Sequence, residues 1–236
     1  NNYCPQNRPQ IVTSFRLHCL LLPTKNTNFA LKIDGIGKME KRLFCLFITI
    51  TFIISCSYQK QDYDKLIEVD SLLSQEKVDS ALYLIEHFNL GNANGETSAY
   101  YHLLLAQARY KAYLPIKSDS IINLAIEYYK SRNNSDKLAR CYYYKGGMLY
   151  DLGDNKEALD NCKLSENLLK SSDNYTLKHN VYYLLSTINN YYNEYKIALS
   201  YAQKALECSE HTQNEYHLVC DYERLFFLFF DRFREG

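Results

Sequence analysis

The chain has 236 residues, and 27 Lys and Arg are balanced by 27 Asp and Glu, so the formal net charge is zero. Beyond residue 56 acidic residues outnumber basic ones, which argues against the clustered positive face of a nucleic-acid-binding protein. In that part prolines are nearly absent and Leu, Ala, Tyr, Lys and Glu are frequent, so we predict a mostly helical body.

The first 56 residues differ from the rest of the chain. Residues 1–38 hold three of the four prolines and no sustained periodicity, so we expect an unstructured upstream over-extension of the reading frame. Residues 39–56 have the parts of a signal peptide: a charged start, an apolar run over 43–54, and Ser55 before Cys56. The run is too short to cross a membrane comfortably, which takes about 20 residues. The alternative is an ordinary apolar segment with a chance cysteine.

The end of that segment resembles the bacterial lipobox, in which the cysteine is diacylated and becomes the mature N-terminus. This resemblance implies that Cys56 is a lipidation site. Residues 57–61 would then form a short tether, and residues 62–236 a helical domain.

Helical spacing of apolar residues begins at Leu66 and predicts nine helices up to residue 234. The third is expected over Tyr100–Ala112, the fifth from Asp136, and the last three near 175–192, 195–210 and 215–234. Ser118 and Asp119 are expected to cap the fourth helix. Breaks in the pattern separate the helices, at 89–96, 114–115, 133–135, 153–154 and 171–174.

A self-similar pattern recurs along the predicted helices at a spacing of 40 residues. Tyr142, Tyr182 and Tyr222 are 40 apart, and so are Ala158 and Ala198. A fixed period in this range indicates stacked helical units, none of which can bury its own apolar face alone.

The repeated unit resembles the tetratricopeptide repeat, with an aromatic residue, a small residue, a turn glycine and two further small residues at set positions. The best unit has these at Tyr142, Gly146, Gly153, Ala158 and Ser165, and the next at Tyr182, Ser186, Asn193, Ala198 and Ala205. The resemblance implies an all-α, right-handed solenoid of about four antiparallel helix pairs plus one unpaired C-terminal helix.

This chain departs from the family in two respects. Its period is longer than the family's 34 residues, and Phe226 occupies a position that favours a small residue. Because the last predicted helix has no partner, we expect a domain that is truncated at its C-terminus.

In this family the first helix of each pair lines a concave binding groove. Carried over to this chain, the resemblance gives twelve groove candidates: Tyr100, Gln107, Tyr110, Lys111, Arg140, Tyr143, Tyr150, Asp151, Asn180, Tyr183, Asn190 and Tyr191. Tyrosine combines a large apolar ring with a hydroxyl, which suits recognition surfaces. The alternative for each tyrosine is plain packing between helices.

No catalytic, metal or cofactor pattern is present in the sequence. The histidines have no ligand spacing, no Cys-x-x-Cys pair occurs, and no nucleophile motif or phosphate-binding glycine loop is found. We therefore predict a protein that is not an enzyme and that uses no metal or cofactor. The cysteines after Cys56 are expected to be buried free thiols, with a disulfide as the alternative.

The favoured hypothesis is a membrane-anchored scaffold or sensor module that binds a protein or peptide and no nucleic acid. The whole arrangement resembles lipoprotein and signalling tetratricopeptide proteins of Bacteroides-like bacteria, which implies the bacterial cell envelope, facing periplasm or cell surface. One alternative is the truncated sensory half of a membrane-spanning transcriptional regulator. Another is an accessory protein that binds glycans or small molecules. The oligomeric state stays open.

Overall fold

The computed structural model describes residues 62–91, 93, 95–115 and 118–234, and Cys56 with the signal-like segment and the tether lie outside them. Within these residues the chain forms nine helices and no strand, so the all-α prediction is confirmed. The helices are α1 (62–74), α2 (Val78–Glu86), α3 (Gly95–Lys111), α4 (Ser120–Ser131), α5 (Ser135–Asp151), α6 (Asn155–Leu168), α7 (Tyr175–Tyr191), α8 (Tyr195–Thr212) and α9 (Glu215–Arg234).

The predicted and observed helices differ most at α3. Sequence periodicity placed its start at Tyr100, but the helix begins at Gly95, which has a positive φ of 61°. The polar residues 95–98 extend the helix by more than a turn, and apolar periodicity does not register such a turn because it holds few core residues.

Asparagine or aspartate side chains cap the N-termini of four of the helices. Asn134, Asp154, Asn174 and Asn214 each accept a hydrogen bond from the backbone N–H three residues further on, at 3.2, 3.2, 3.0 and 3.1 Å. Each bond satisfies one N–H that the first turn leaves unpaired. The predicted cap of α4 is realised only in part: Ser118 Oγ accepts from the Ser120 N–H, while the Asp119 side chain makes no cap bond and pairs with Lys145 at 3.2 Å.

Left-handed residues mark the connections between helices. Asn193 has φ 60°, as expected for an asparagine that replaces a turn glycine, and Gly153 has φ 84°. Glu76, Asn133 and Gln213 adopt similar values in three further connections. These tight turns return each helix against the preceding one.

From α2 onward every helix packs against the next one in the chain, and α5 also contacts both α3 and α7. The α5–α6 contact is especially close: a Cβ atom on Gly146 would lie 2.6 Å from Cys162 Sγ and 3.2 Å from the Ala158 carbonyl oxygen. Ala158 and Ala198, the repeated alanines, are both fully buried. Small residues therefore occupy the helix contacts where the sequence placed them.

The buried residues form three clusters that follow one another along the chain. One joins α1–α5, the next joins α5–α8, and the third is centred on Ala198, Ala202 and Leu228 of α8 and α9. Among the described cysteines Cys141, Cys162 and Cys208 are buried free thiols and Cys220 is a half-buried one. This agrees with the expected free thiols.

Candidate functional site: a surface on the first helices

All twelve groove candidates lie on three alternate helices, four each on α3, α5 and α7. Because α5 contacts both α3 and α7, these residues can form one surface, which we call the first-helix surface. It has a polar cluster, a tyrosine cluster and a region shared with α9. The three regions differ in how many of their polar groups already have a hydrogen-bond partner in the described residues.

The polar cluster joins Arg140 of α5 to Gln107 of α3 and Asp70 of α1. Arg140 Nη1 donates to Asp70 Oδ2 at 2.9 Å, and Nε donates to Gln107 Oε1 at 2.8 Å. A second guanidinium nitrogen also contacts Asp70, and the Tyr100 hydroxyl donates to the same carboxylate. Three of the predicted residues are thus brought together, but their polar groups bond to one another and to Asp70, which the sequence analysis missed.

The charges of this cluster stabilise each other. Burial raises the pKa of Asp70, but the hydrogen bonds and charge of Arg140, helped by Tyr100, outweigh burial and hold the pKa below its ordinary value. The Tyr100 pKa is raised by burial and by the Asp70 carboxylate. At neutral pH the cluster is a bidentate ion pair with a neutral phenol, a strong geometry for joining three helices.

Lys137 of α5 adds a second contact between α5 and α3. Its Nζ donates to Glu96 Oε1 and to the Tyr63 hydroxyl, both at 2.9 Å, and lies 4.2 Å from the centre of the Tyr100 ring. The pKa of Lys137 is raised because these bonds outweigh its burial, and that of Glu96 is lowered chiefly by Lys137. This part of the surface serves to hold helices together.

The tyrosine cluster lies on α3 and α5. Tyr110 meets Tyr143 edge to face, with ring centres 6.4 Å apart, and Tyr144 at 5.8 Å. The Tyr110 ring rests on Gly147, where a Cβ atom would come within 2.6 Å of it. Burial raises the pKa of Tyr110 and Tyr143, so both phenols are neutral at physiological pH.

Unused hydroxyl groups distinguish three tyrosines of α5 and α7 from the polar cluster. Tyr143, Tyr150 and Tyr183 are half-buried, and their hydroxyls form no hydrogen bond within the described residues. A fixed ring with an unsatisfied hydroxyl can give a ligand both apolar contact and a hydrogen bond.

The third region lies between α7 and α9. The Arg224 guanidinium lies 4.9 Å above the centre of the Tyr183 ring, and its Nη2 donates to Thr187 Oγ1 at 2.6 Å. Asn180 Oδ1 lies 3.2 Å from His179 Nδ1. Asn190 Oδ1 is buried with no partner in the described part of the chain. Arg224 was not predicted, since its role depends on α9 packing beside α7.

The remaining candidates lie near the ends of their helices. Lys111 pairs with Glu76 at 2.6 Å, while Asp151 and Tyr191 are exposed. Separately, a cavity of about 620 Å³ lies between α7 and α8, where the Tyr175 and His211 rings stack 4.2 Å apart. No group of three His, Cys, Asp or Glu in the described residues could hold a metal ion.

Comparison with known families and proteins leaves this geometry as the main guide to function. No protein-family model matches the chain, and no curated protein matches it. Among the described helices, none has the length and apolar character that a membrane crossing requires.

Proposed function

We propose that residues 62–234 form a tetratricopeptide-like right-handed solenoid whose first-helix surface is a concave groove that binds a protein or peptide segment. Sequential packing of the eight helices α2–α9, close small-residue contacts at Gly146 and Ala158, and the 40-residue repeat support this architecture. The resemblance of the repeated unit to the tetratricopeptide motif supports the position of the groove.

The observation that carries the proposal is the contrast within the first-helix surface. Tyr100, Gln107 and Arg140 are occupied by one another and by Asp70, whereas the hydroxyls of Tyr143, Tyr150 and Tyr183 are unused within the described residues. Ligand contacts therefore belong to the tyrosines of α5 and α7. An extended peptide suits such a row, because its backbone carbonyls accept hydrogen bonds and its side chains pack on rings.

The proposed activity is binding without catalysis. Ser209, Asp221 and His179 form a serine, histidine and aspartate set that is buried together. Both Ser209 Oγ and His179 Nε2 contact Asp221, at 2.5 and 3.1 Å. In a catalytic triad the histidine lies between serine and aspartate, so this order supports a structural role.

We further propose that the domain is held at a membrane of the bacterial cell envelope by lipid on Cys56. The support is the sequence pattern of residues 39–56 alone. Two acyl chains would give stable anchoring, since each buried methylene contributes about 0.8 kcal/mol.

A peptide library displayed on phage and selected on the purified full chain tests the binding proposal. Tyr183→Ala should weaken selected peptides about thirtyfold, because a central aromatic anchor contributes roughly 2 kcal/mol or more. Tyr183→Phe removes only the hydroxyl and should weaken peptide binding less than Tyr183→Ala does. The control is Tyr83→Ala, since Tyr83 is an exposed tyrosine that lies on α2, outside the first-helix surface.

Circular dichroism must show unchanged helical content for each variant. Selected peptides that bind Tyr143→Ala and Tyr183→Ala variants as tightly as wild type, with both variants folded, would contradict the groove proposal. Unfolding of both variants would also contradict it, because the tyrosines would then be core residues.

A further inference from the structure

A second candidate site is the cavity between α7 and α8. Its volume of about 620 Å³ falls within the range of small-molecule sites, roughly 300–1,000 Å³. Tyr175, Lys178 and Tyr182 line it from α7, and because they are three and four residues apart they lie on one side of that helix. None of the described residues that line the cavity belongs to the first-helix surface, so it can hold a ligand whether or not the groove binds a peptide.

Aromatic rings form part of the cavity wall and are held in place by other rings. The Tyr175 ring of α7 lies nearly parallel to the His211 ring of α8, at 11° and with ring centres 4.2 Å apart. Tyr182 stacks on the buried Tyr201, with ring centres 6.1 Å apart. A planar aromatic ligand can stack on such rings, and a wall that is already fixed loses little conformational entropy on binding.

Lys178 is the lining residue that indicates the chemistry of the ligand. It is half-buried, yet its ammonium forms no hydrogen bond or ion pair within the described residues. Its Nζ lies 5.2 Å from the centre of the Tyr175 ring, whose face attracts a cation. Every other half-buried lysine or arginine that the structure describes has a carboxylate oxygen within 3.4 Å, except Arg224, which donates to Thr187. Because a partly buried charge favours a partner of opposite sign, the Lys178 ammonium is available to an anionic group of a ligand.

The other charges around the cavity favour an anionic group with a single negative charge. Lys204 already pairs with Glu166 at 3.4 Å, and Glu166 also pairs with Lys163. Glu207 and Glu210 line the cavity too, and they are exposed and have no cationic partner among the described residues. Two unpaired carboxylates beside one unpaired ammonium disfavour a phosphate group, which carries close to two negative charges at neutral pH, whereas a carboxylate carries one.

We propose that this cavity binds a small molecule that has a planar aromatic ring and a single carboxylate. The carboxylate pairs with Lys178, and the ring stacks on Tyr182. Lys178 and Tyr182 are four residues apart on α7, so their side chains are neighbours and one small ligand can contact both.

Fluorescence polarisation of an indole ligand tests the proposal, because the chain contains no tryptophan and gives no indole background. We expect indole-3-propionate to bind the purified full chain with a dissociation constant of about 100 µM or below. Indole-3-propanol has the same ring with a hydroxyl in place of the carboxylate, and it should bind about tenfold more weakly. No binding of the acid at chain concentrations up to about 500 µM would overturn the proposal, and so would equal affinity for the acid and the alcohol.

Lys178→Met separates the effect of the charge from that of packing. It removes the ammonium and keeps a long side chain that suits a helix, so it should weaken indole-3-propionate binding about tenfold and leave indole-3-propanol binding unchanged. The control is Lys196→Met, because Lys196 is an exposed lysine of α8 outside the cavity. A folded Lys178→Met chain that binds the acid as tightly as wild type would contradict the proposal. If that variant fails to fold, the comparison of acid and alcohol on the wild-type chain decides.

Two competitors of indole-3-propionate distinguish a carboxylate ligand from a phosphate ligand. 3-Phenylpropionate should compete more strongly than phenyl phosphate, since Glu207 and Glu210 repel the second charge of the phosphate. Stronger competition by phenyl phosphate would assign the cavity to a phosphate ligand and overturn the proposal of a carboxylate.

Discussion

Two carboxylates, one half-buried and one fully buried, hold different parts of the helical array, and they do so with different partners. Asp70 joins α1, α3 and α5 through the guanidinium of Arg140, and its side chain keeps 26% of its exposure. Asp221 joins α7, α8 and α9 through Ser209 and His179, and it is fully buried. Arg140 remains charged at every accessible pH, whereas the Asp221 contact lies beside His217, which stacks on His179 and whose pKa is lowered chiefly by burial. The Asp70–Arg140 contact should therefore be less sensitive to mildly acidic pH than the surroundings of Asp221.

The largest effect should come from Asp221. Asp221→Ala removes the shared partner of Ser209 and His179 and leaves two polar groups buried without hydrogen bonds. Breaking such a buried pair destabilises a protein by about 3 kcal/mol. Urea unfolding measures the loss, and Asp221→Asn, which keeps the shape, should lose less. A change below about 1 kcal/mol for the alanine variant would show that α9 does not depend on this contact.

The next largest effect should come from Arg140→Met. This change should lower the free energy of unfolding by about 2 kcal/mol, because the half-buried Asp70 carboxylate and the Gln107 amide lose their donor. The double variant Asp70→Leu/Arg140→Met should be more stable than Arg140→Met alone, since it leaves no unpaired charge. If the double variant lost as much free energy of unfolding as the two single variants together, the two residues would act independently.

The smallest effect is a pH dependence of stability to which His217, beside the Asp221 contact, contributes. The pKa of His217, which stacks on His179 at 4.0 Å, is lowered by burial and then by the His179 charge. The unfolded chain therefore binds a proton more readily, and the free energy of unfolding falls as pH drops from about 7.5 through the unfolded value of about 6.5 toward the lower folded one. His102 of α3, whose pKa burial also lowers, adds to the same trend from the α1–α5 region, so the loss of His217 should remove only part of the slope.

His217→Gln should reduce this slope, and Arg140→Met should leave it unchanged. The Arg140 variant serves as the control because Asp70 has a lowered pKa, so its contribution is present above about pH 4 and is lost only as pH falls through the folded value. Urea unfolding at a series of pH values gives the slopes. Equal slopes for wild type and His217→Gln would remove the distinction between the two regions.

Local patterns in the sequence were sufficient for the helices, the turns and the buried small residues. Apolar periodicity located nine helices, and Gly153 and Asn193 marked two left-handed turns, because both signals depend on residues close in the chain. The late start assigned to α3 shows the limit of this reading, since the polar residues 95–98 give no apolar signal.

The tertiary structure decided which surface residues are available to a partner. From sequence, Tyr100 and Tyr183 were equivalent candidates on first helices, yet the Tyr100 hydroxyl is bound to Asp70 and that of Tyr183 is unused among the described residues. Likewise, Phe226 and Ser186 hold matching places in the repeat, and only Ser186 is covered. The partner of a side chain can lie 70 residues away in the sequence, as with Asp70 and Arg140. Helical spacing shows which side of a helix a residue occupies, but it does not show what packs against that side.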